Sequence, residues 1–188
     1  MFCTTEDLFD LANRGQKFGT VYADPPWLYH NKVSEGAACN HYEGMTVREL
    51  MRLPVKWLAA ETAHLHLWTT NAFLFDCKDI MEAWGFEYKG MLIWIKDRIG
   101  MGNYWRVTHE LLLLGTRGPK CAFKIKNIPS WIKIHKGRHS AKPTTIRRML
   151  EKVSPSPRLE LFARPPICKG WVPWGNEIRR ADFRKDCL

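Results

Sequence analysis

The residues whose types and spacing most clearly point to chemistry form the tetrapeptide Asp24-Pro25-Pro26-Trp27, with Tyr29 just beyond it. Proline fixes its own φ and keeps the residue before it extended, so the Asp24 carboxylate is presented rigidly. Rigid acceptors beside two flat aromatic faces suit a planar base that carries an exocyclic amine. A second interpretation is that the two prolines only end a buried strand and that Trp27 belongs to the core.

The positive charge of the chain is concentrated in one region. The formal net charge is +10, and residues 117–150 contain no acid but ten basic residues, namely Arg117, Lys120, Lys124, Lys126, Lys133, Lys136, Arg138, Lys142, Arg147 and Arg148. This run predicts a polyanionic partner. We favour nucleic acid over an anionic membrane surface, because no strongly amphipathic helix accompanies the run. Candidate contacts to the nucleic-acid backbone are Lys124, Lys126 and Lys133.

Composition limits the remaining classes of protein. With 188 residues, 45% of them hydrophobic, and nine tryptophans, we expect one folded domain over residues 1–188 rather than a disordered chain. The longest apolar runs are too short to span a bilayer, and no secretory signal is visible. The six cysteines include no Cys-x-x-Cys pair. This spacing argues against a zinc site and indicates free thiols in a reducing compartment, the cytoplasm or nucleoid.

The elements that must position these residues alternate between helix and strand. Helices are predicted at residues 4–13, 46–53, 71–84 and 143–153, the second from a Thr46/Glu49 capping box to Pro54. Strands are predicted before Asp24 and at residues 64–69, 88–95, 109–116 and 159–163, while residues 170–177 form a strand or turn. The apolar strands are short and continuous, as in a sheet covered on both faces. The pattern predicts an α/β fold with a mainly parallel sheet.

Two other groups of polar residues have weaker interpretations. His64 and His66 share one face of a strand and could bind a metal, but no third ligand follows at a suitable spacing, so packing in the sheet is favoured. Glu87-Tyr88-Lys89, with Asp76 or Asp79, has the composition of a metal-dependent nuclease site. Because both aspartates fall on a predicted helix, we favour neither a nuclease nor any metal site.

Eight sequence blocks occur in a fixed order over residues 20–178: YADPPWLY, HYEGM, LHLWTTN, LIWIK, HELLLLGTRG, HSAKP, LELFAR and GWVPWGNE. Together they resemble the DPPW-signature family of S-adenosylmethionine-dependent adenine N6-methyltransferases. That family includes the catalytic subunit of the messenger-RNA adenosine methyltransferase and bacterial and phage DNA adenine methyltransferases. The resemblance implies a Rossmann-like class I methyltransferase fold with a mostly parallel sheet, helices on both faces and the catalytic motif ahead of the main cofactor motif.

The resemblance also implies roles for individual residues. Asp24 and the Pro25 carbonyl would accept the two N–H groups of the target amine, with Pro26 and Trp27 completing the catalytic motif and Trp27 and Tyr29 stacking on the base. Cofactor contacts would come from Asp24, Lys142, Glu160, Phe162, Arg164, Asn176 and Glu177. For Lys142 a phosphate contact competes with this role, and for Glu160 a salt bridge to a basic neighbour does. The dinucleotide-type Gly-x-Gly-x-x-Gly is absent, and Ala163 stands where some relatives have glycine.

Two loops would complete the target site. Tyr42 matches a family aromatic near the acceptor base, and residues 31–40 would form a lid. Residues 100–106 would form the opposite wall, with Tyr104, Trp105 and Arg106 on the substrate. His109 and Glu110 are expected to be structural, at the start of a strand.

The predicted function is therefore methyl transfer from S-adenosylmethionine to the N6 amine of adenine in nucleic acid. DNA is favoured, as in a bacterial or phage DNA adenine methyltransferase with little or no separate target-recognition domain. An RNA adenosine methyltransferase remains an alternative. So does a non-catalytic nucleic-acid-binding member of the family, although in such members the catalytic motif is typically broken. No metal and no membrane partner is expected, and a homodimer is left open.

Overall fold

The computed structural model describes residues 4–29, 44–100, 104–135 and 142–178. Over these residues the chain forms a seven-stranded sheet in the order β5-β3-β4-β2-β1-β6-β7. The strands are β1 (Phe18–Ala23), β2 (Ala59–Thr69), β3 (Glu87–Ile95), β4 (His109–Arg117), β5 (Trp131–Lys133), β6 (Arg158–Leu161) and β7 (Trp171–Trp174). β4 pairs antiparallel with β2 and β3, whereas the other neighbouring pairs are parallel. The predicted mostly parallel sheet is confirmed, with β4 as its one reversed strand among the described residues.

Helices cover both faces of this sheet. They are α1 (Thr5–Asn13), α2 (Val47–Met51), α3 (Val55–Leu58), α4 (Asp76–Ala83) and α5 (Thr144–Val153). The first four helices pack in one cluster with Val21 of β1, through Leu8, Leu50, Leu58 and Ile80 respectively. Tyr22, the next residue of β1, packs on the opposite face with Ile146 of α5. Alternate residues of a strand point to opposite faces, so this division confirms the predicted layers.

Local signals predicted most element boundaries. Thr46 and Glu49 form the predicted capping box at the start of α2, and α1 begins with a similar box between Thr4 and Asp7. Two expectations about this region were wrong: α2 already ends at Met51, and Pro54 is the N-cap of α3 rather than the end of α2. Proline can occupy this position because the first N–H groups of a helix have no intrahelical partner.

Two features of the sheet were not predicted. β5 has three residues and lies in the basic region that showed little regular pattern; a strand this short has no detectable period. β3 is half-exposed over most of its length, although a strand covered on both faces was expected. It lies near the end of the sheet, where β5 is its outer neighbour, so the helices cover it only in part.

The strand directions bring several polar residues to one edge of the sheet. Asp24 directly follows β1, and Thr70 directly follows β2. β4 runs the other way, so its second residue, Glu110, lies at the same edge as the end of β3. Carboxyl ends of parallel strands are the usual place for a ligand crevice in an open α/β sheet. We call this the carboxyl edge.

His64 and His66 lie on one face of β2, as predicted, and share a buried serine. The hydroxyl oxygen of Ser154 is 2.9 Å from Nδ1 of His64 and 2.9 Å from Nε2 of His66. Nε2 of His64 lies 2.8 Å from the carbonyl oxygen of Cys121 and must donate to it, because a carbonyl only accepts. In neutral His64 the other nitrogen, Nδ1, then accepts from Ser154, whose oxygen accepts from His66. The described residues contain no group of three His, Cys, Asp or Glu side chains able to hold a metal.

The described helices are also too short or too polar for any of them to cross a membrane.

We predict that this histidine pair makes the protein less stable in mild acid. Burial lowers the pKa of His66 to about 3, and neighbouring His64 adds to the effect. The unfolded chain takes up the proton near a pKa of roughly 6.5. Below that pH the unfolded state binds more protons than the folded state, so the free energy of unfolding should fall as pH drops towards 3. Urea unfolding at a series of pH values measures this.

The His66→Gln variant is the control for this pH effect. Glutamine keeps a hydrogen-bonding group near Ser154 but does not titrate, so the fall in stability between pH 7 and pH 5 should be shallower than in the wild type. An identical pH dependence in the two proteins would show that His66 does not cause the effect.

Candidate active site

A cavity of about 230 Å³ opens at the carboxyl edge and contains the DPPW tetrapeptide in its wall. Its lining residues are Asp24, Pro25, Pro26, Trp27, Leu28, Tyr29, Gly44, Trp68, Thr69, Thr70, Glu110, Lys142 and Arg164. The lining combines two carboxylates, two cations and several aromatic rings. The structure thus brings together residues that lie up to 140 positions apart, from Asp24 to Arg164.

Backbone hydrogen bonds to Met45 hold the tetrapeptide in place. The Met45 N–H donates to the Pro26 carbonyl at 2.7 Å, and the Leu28 N–H donates to the Met45 carbonyl at 3.2 Å. Gly44 makes this approach possible, because a Cβ there would lie 2.8 Å from the Cα of Leu28. The Pro25 carbonyl accepts the Trp27 N–H at 3.0 Å. Pro25 therefore keeps one of its two lone pairs for a further donor.

Aromatic contacts fix the faces of Trp27 and Tyr29. The ring of Phe73 stacks on Trp27, with centroids 4.7 Å apart and planes 16° apart. It also meets Tyr29 edge to face at 4.9 Å, and the Tyr29 hydroxyl lies 2.9 Å from that of Thr70. One face of Trp27 is thus covered by Phe73, and Trp27 also packs against the core while lining the cavity. Phe73 lies in a single 3-10 turn and was missed, because an apolar residue in such a short turn gives no indication of a site.

The charged centre of the cavity is Lys142. Its Nζ lies 2.7 Å from both carboxylate oxygens of Asp24 and 3.3 Å from Oε2 of Glu110. The other oxygen of Glu110 binds Nζ of Lys96. Sequence reasoning placed Lys142 at the cofactor and Glu110 in a structural role; the structure places both beside Asp24. The signal for Glu110 was its position at the start of a predicted strand, which reaches the carboxyl edge because β4 is antiparallel to its neighbours.

The ionised forms of these side chains stabilise one another. Burial alone would lower the pKa of Lys142, but the carboxylates of Asp24 and Glu110 outweigh it and raise this pKa. Burial likewise opposes ionisation of Glu110, but Lys142 and Lys96 lower its pKa below the usual value. At neutral pH Lys142 is therefore an ammonium group and Glu110 a carboxylate.

Glu160, predicted to hold ribose hydroxyls, is a buried partner of Arg147. Nη2 of Arg147 donates to Oε1 of Glu160, whose side chain is 7% exposed. Nη1 of Arg147 lies 2.9 Å from the Cys168 sulfur. Burial raises the pKa of Glu160, although Arg147 opposes this rise. The alternative of a salt bridge is therefore what the structure contains, and a ribose contact stays a prediction.

The block after β6 lies beside the cavity. Phe162 has a positive φ of 58° and packs edge to face on Trp174 at 5.3 Å. A Cβ on Gly175 would lie 2.7 Å from the Ala163 carbonyl oxygen, so only glycine lets the chain pass this closely. This passage brings Glu177 to Arg164, with Nε and Oε1 3.0 Å apart. Asn176 beside it is exposed.

Other predicted substrate residues do not line the cavity. Tyr104 and Trp105 are 94% and 93% exposed, and Arg106 is exposed as well. They lie in the connection between β3 and β4, so the predicted opposite wall is not formed by their side chains. Tyr42 and the whole predicted lid at residues 31–40 lie outside the described residues.

The three candidate backbone-binding lysines do not form one surface. Lys133 ends β5 and pairs with Ile95 at the carboxyl edge. The Lys124 N–H instead donates to the carbonyl of Val153, which is the last residue of α5. Lys142 of the cavity lies at the other end of α5, just before that helix begins. A helix of this length spans about 15 Å. Lys124 and the nearby Lys126 are exposed, and Lys124 lies towards the opposite edge of the sheet.

The groups around the cavity fit the expected cofactor, S-adenosylmethionine. Its amino-acid end carries a carboxylate and an ammonium group, and the cavity offers the Lys142 cation and the Asp24 carboxylate. Its ribose carries hydroxyls, and Arg164 and Glu177 form a partly exposed polar pair next to the same cavity. The buried Nε of Arg147 finds no acceptor among the described residues, so the region behind Glu160 retains an unused donor.

Comparisons with known proteins agree with this chemistry. The profile of the MT-A70 family matches residues 18–177. The Type II methyltransferase M.MunI of Mycoplasma sp is 32% identical over 187 residues, which cover 87% of this chain and 78% of that protein. The N(6)-adenosine-methyltransferase catalytic subunit METTL3 of Homo sapiens is 30% identical, with 86% of this chain but only 28% of METTL3 covered. The N(6)-adenine-specific methyltransferase METTL4 of Mus musculus is 26% identical, with 89% and 39% covered.

We predict that Arg147→Met strongly destabilises the protein. The substitution leaves the Glu160 carboxylate buried without its cation, and breaking a buried pair in this way costs about 3–5 kcal/mol. The double variant Arg147→Met with Glu160→Gln should regain part of this free energy, because the uncompensated charge is gone. Urea unfolding at pH 7.5 measures both.

The matched control is Lys78→Met, which breaks the Lys78–Glu82 pair. These side chains are 75% and 62% exposed and their charged atoms are 3.8 Å apart, so the cost should stay below about 1 kcal/mol. Equal losses in Arg147→Met and Lys78→Met would contradict a structural role for the buried pair.

Proposed function

The chain belongs to the MT-A70 family, and from this premise we propose that it transfers a methyl group from S-adenosylmethionine to the N6 amine of adenine in DNA, at the cavity beside Asp24. The observation that carries the proposal is the position of the Asp24 carboxylate. It lies in an aromatic-lined cavity, bound on one side by the Lys142 ammonium group. This is an acceptor site for an amine beside a site for a planar ring.

The amine of adenine is a poor nucleophile, because its lone pair is conjugated into the ring. Hydrogen bonds from its N–H groups to Asp24 and to the remaining lone pair of the Pro25 carbonyl return electron density to the nitrogen. These acceptors are preorganised by the prolines and by the Met45 backbone bonds, so they need no rearrangement at the moment of reaction. The amine proton can leave after methyl transfer, so no strong base is required.

Trp27 holds the base through the part of its ring that lines the cavity. The Phe73 ring stacks on one face of Trp27 and keeps Trp27 fixed, and stacking of a base on an aromatic ring is worth about 1–3 kcal/mol. This contribution is comparable to the few kcal/mol that taking a base out of a duplex costs. Tyr29, anchored to Thr70, lies at the rim and limits how the base can tilt.

The cofactor, when bound, contributes a methyl group on a positively charged sulfonium centre. Lys142 would hold its carboxylate, and Arg164, Asn176 and Glu177 are the proposed contacts to its ribose, with Phe162 and Glu160 behind them. Asp24 would lie between the cofactor ammonium group and the target amine. The cavity then brings donor and acceptor together, which converts a bimolecular reaction into a positioned one.

DNA is the proposed substrate, and RNA is the second candidate. The match to M.MunI covers 78% of that protein, whereas the match to METTL3, whose name specifies adenosine, covers 28%. The exposed Tyr104, Trp105 and Arg106 and the lysines of the basic region are proposed contacts outside the cavity. A cytoplasmic location is part of the same proposal. A homodimer remains an open arrangement for the active form.

We predict that Asp24→Asn lowers kcat for methyl transfer by at least about 100-fold, the usual cost of losing a preorganised polar contact to the reacting group. Cofactor affinity should stay within a few-fold, because Lys142, Arg164 and their neighbours remain. The measurement uses labelled cofactor with single- and double-stranded DNA and RNA, followed by mass spectrometry of the nucleosides. Calorimetry with S-adenosylhomocysteine gives the affinity.

The control for this experiment is Asp79→Asn, at an exposed position of α4, which should leave kcat unchanged. Wild-type product other than N6-methyladenine, or full activity in Asp24→Asn, would refute the proposed function. Methylation of RNA alone would keep the mechanism and reject DNA as the substrate.

A second prediction separates the exposed lysines. Lys133 lies at the carboxyl edge, so Lys133→Glu should weaken the salt dependence of nucleic-acid binding. The slope of the logarithm of the binding constant against the logarithm of the salt concentration should become shallower by about one or more. Lys124→Glu, an equal change of charge at the opposite end of α5, should leave the slope nearly unchanged. Fluorescence anisotropy between 50 and 200 mM salt, a range over which phosphate contacts dominate affinity, measures both slopes. Equal slopes would place the nucleic acid elsewhere.

A further inference from the structure

Four charged side chains alternate in sign along the carboxyl edge. Lys96, directly after β3, binds Oε1 of Glu110; Oε2 of Glu110 lies 3.3 Å from Lys142, which binds Asp24. All four side chains are 14–20% exposed. Three of them line the cavity, but Lys96 does not. Lys96 is therefore the one member of the series that is separated from any ligand in the cavity.

Two anchored tryptophan rings support the two lysines. Nζ of Lys96 lies 5.1 Å from the ring centroid of Trp94, and Nζ of Lys142 lies 5.4 Å from that of Trp68. The two rings meet edge to face at 6.0 Å. A hydrogen bond from its indole N–H holds each ring in place. The Trp68 N–H donates to the Tyr22 hydroxyl at 2.6 Å, and the Trp94 N–H donates to the Ile134 carbonyl at 3.0 Å. Cation–π attraction thus favours one fixed position for each ammonium group.

Glu110 divides its two oxygens between the two lysines. Its contact with Lys142, at 3.3 Å, is longer than the 2.7 Å contacts of Lys142 with Asp24. Lys96 neutralises Glu110 from the side away from the cavity, which weakens the pull of Glu110 on Lys142. Without Lys96, Glu110 would keep Lys142 as its only close cation among the described residues and would compete with Asp24 for it.

We propose that Lys96 is a positioning residue for the methyl-transfer reaction: it holds Glu110 so that Lys142 stays on Asp24. This inference rests on the proposed function, because its consequence is the orientation of the acceptor carboxylate. Lys96 does not line the cavity. It acts through Glu110 and Lys142 on Asp24.

The charges that face Glu110 come from three other elements. Lys96 faces it from the end of β3, Lys142 from the start of α5, and Asp24 lies beyond Lys142 at the end of β1; β2 contributes the uncharged Trp68. Arg164 lines the same cavity. Lys96 helps Lys142 to lower the pKa of Glu110. Removal of Lys96 should therefore raise that pKa and extend protonation of Glu110 to higher pH.

The experiment compares Lys96→Met and Lys96→Arg with the wild type. In Lys96→Met we expect kcat to fall about tenfold, because a small displacement of a reacting group has an effect of this size or larger. The KM for nucleic acid should stay within about twofold, since Lys96 lies outside the cavity. Protonated Glu110 no longer competes with Asp24 for Lys142, so the loss of kcat in Lys96→Met should become smaller as the pH falls through the Glu110 pKa. Lys96→Arg keeps the charge and should restore both the rate and the shape of the kcat–pH profile.

The matched control is Lys89→Met on the same strand. Lys89 pairs with Glu87 at 2.5 Å, and its side chain is 44% exposed. This variant should leave kcat and its pH profile unchanged. If Lys96→Met proves too unstable to purify, Lys96→Gln replaces it, and thermal melting of each variant shows that the protein assayed is folded.

A readout without turnover separates this inference from the proposed function. Carbon-13 NMR of the Glu110 carboxyl, assigned with Glu110→Gln, follows its titration in cofactor-free protein. A raised midpoint in Lys96→Met supports the positioning role even if the wild type transfers no methyl group, an outcome that would refute the proposed function alone. An unchanged Glu110 midpoint together with an unchanged kcat–pH profile would overturn the role of Lys96. A loss of kcat that Lys96→Arg does not restore would overturn it as well.

Discussion

The ion pair between Asp24 and Lys142 is the interaction on which the site depends. Nζ of Lys142 binds both oxygens of a carboxylate 118 positions earlier in the chain, and the two side chains are only 14% and 20% exposed. A buried charge is costly unless it is paired and hydrogen-bonded, so each of the two residues stabilises the charge of the other at this edge. The pair can form because β6 is parallel to β1 and α5 leads into β6. A helix in such a crossover connection runs opposite to the strands, so α5 begins at the same edge of the sheet at which β1 ends. The strand directions and the ion pair thus both place Asp24 next to Lys142.

This pairing also decides what Asp24 can do chemically. Its two oxygens already accept from an ammonium group, so its orientation as an acceptor for an amine depends on whether Lys142 stays on Asp24. Glu110, with Lys96 behind it, competes for the same cation. Lys96, which lies outside the cavity, therefore affects the orientation of the Asp24 carboxylate inside it. The aromatic wall of the cavity is also held from outside, because Phe73, which does not line the cavity, stacks on one face of Trp27.

The basic region shows how tertiary structure changes the meaning of a charge pattern. Ten basic residues without an acid indicated a polyanion-binding surface, but Lys142 and Arg147 of this run turn inward to Asp24, Glu110 and Glu160. Lys124 and Lys133 remain exposed, yet they lie towards opposite edges of the sheet. The run lacks acids partly because its acidic partners come from other strands. Local charge counting sees only sequence neighbours, whereas an ion pair requires proximity in space.

The sequence by itself determined the α/β class, the layers, most element boundaries and the DPPW segment. These follow from local physics: capping boxes at Thr4 and Thr46, apolar runs, and the backbone restriction by Pro25 and Pro26. The tertiary structure alone decided that β4 is reversed, that the three-residue β5 pairs with β3, and that Glu110, Phe73 and Lys96 lie around Asp24. Short strands and single turns have no period to detect, and the position of a side chain at an edge depends on the directions of its neighbouring strands. Those directions are settled by packing of the whole sheet, so no stretch of sequence reveals them.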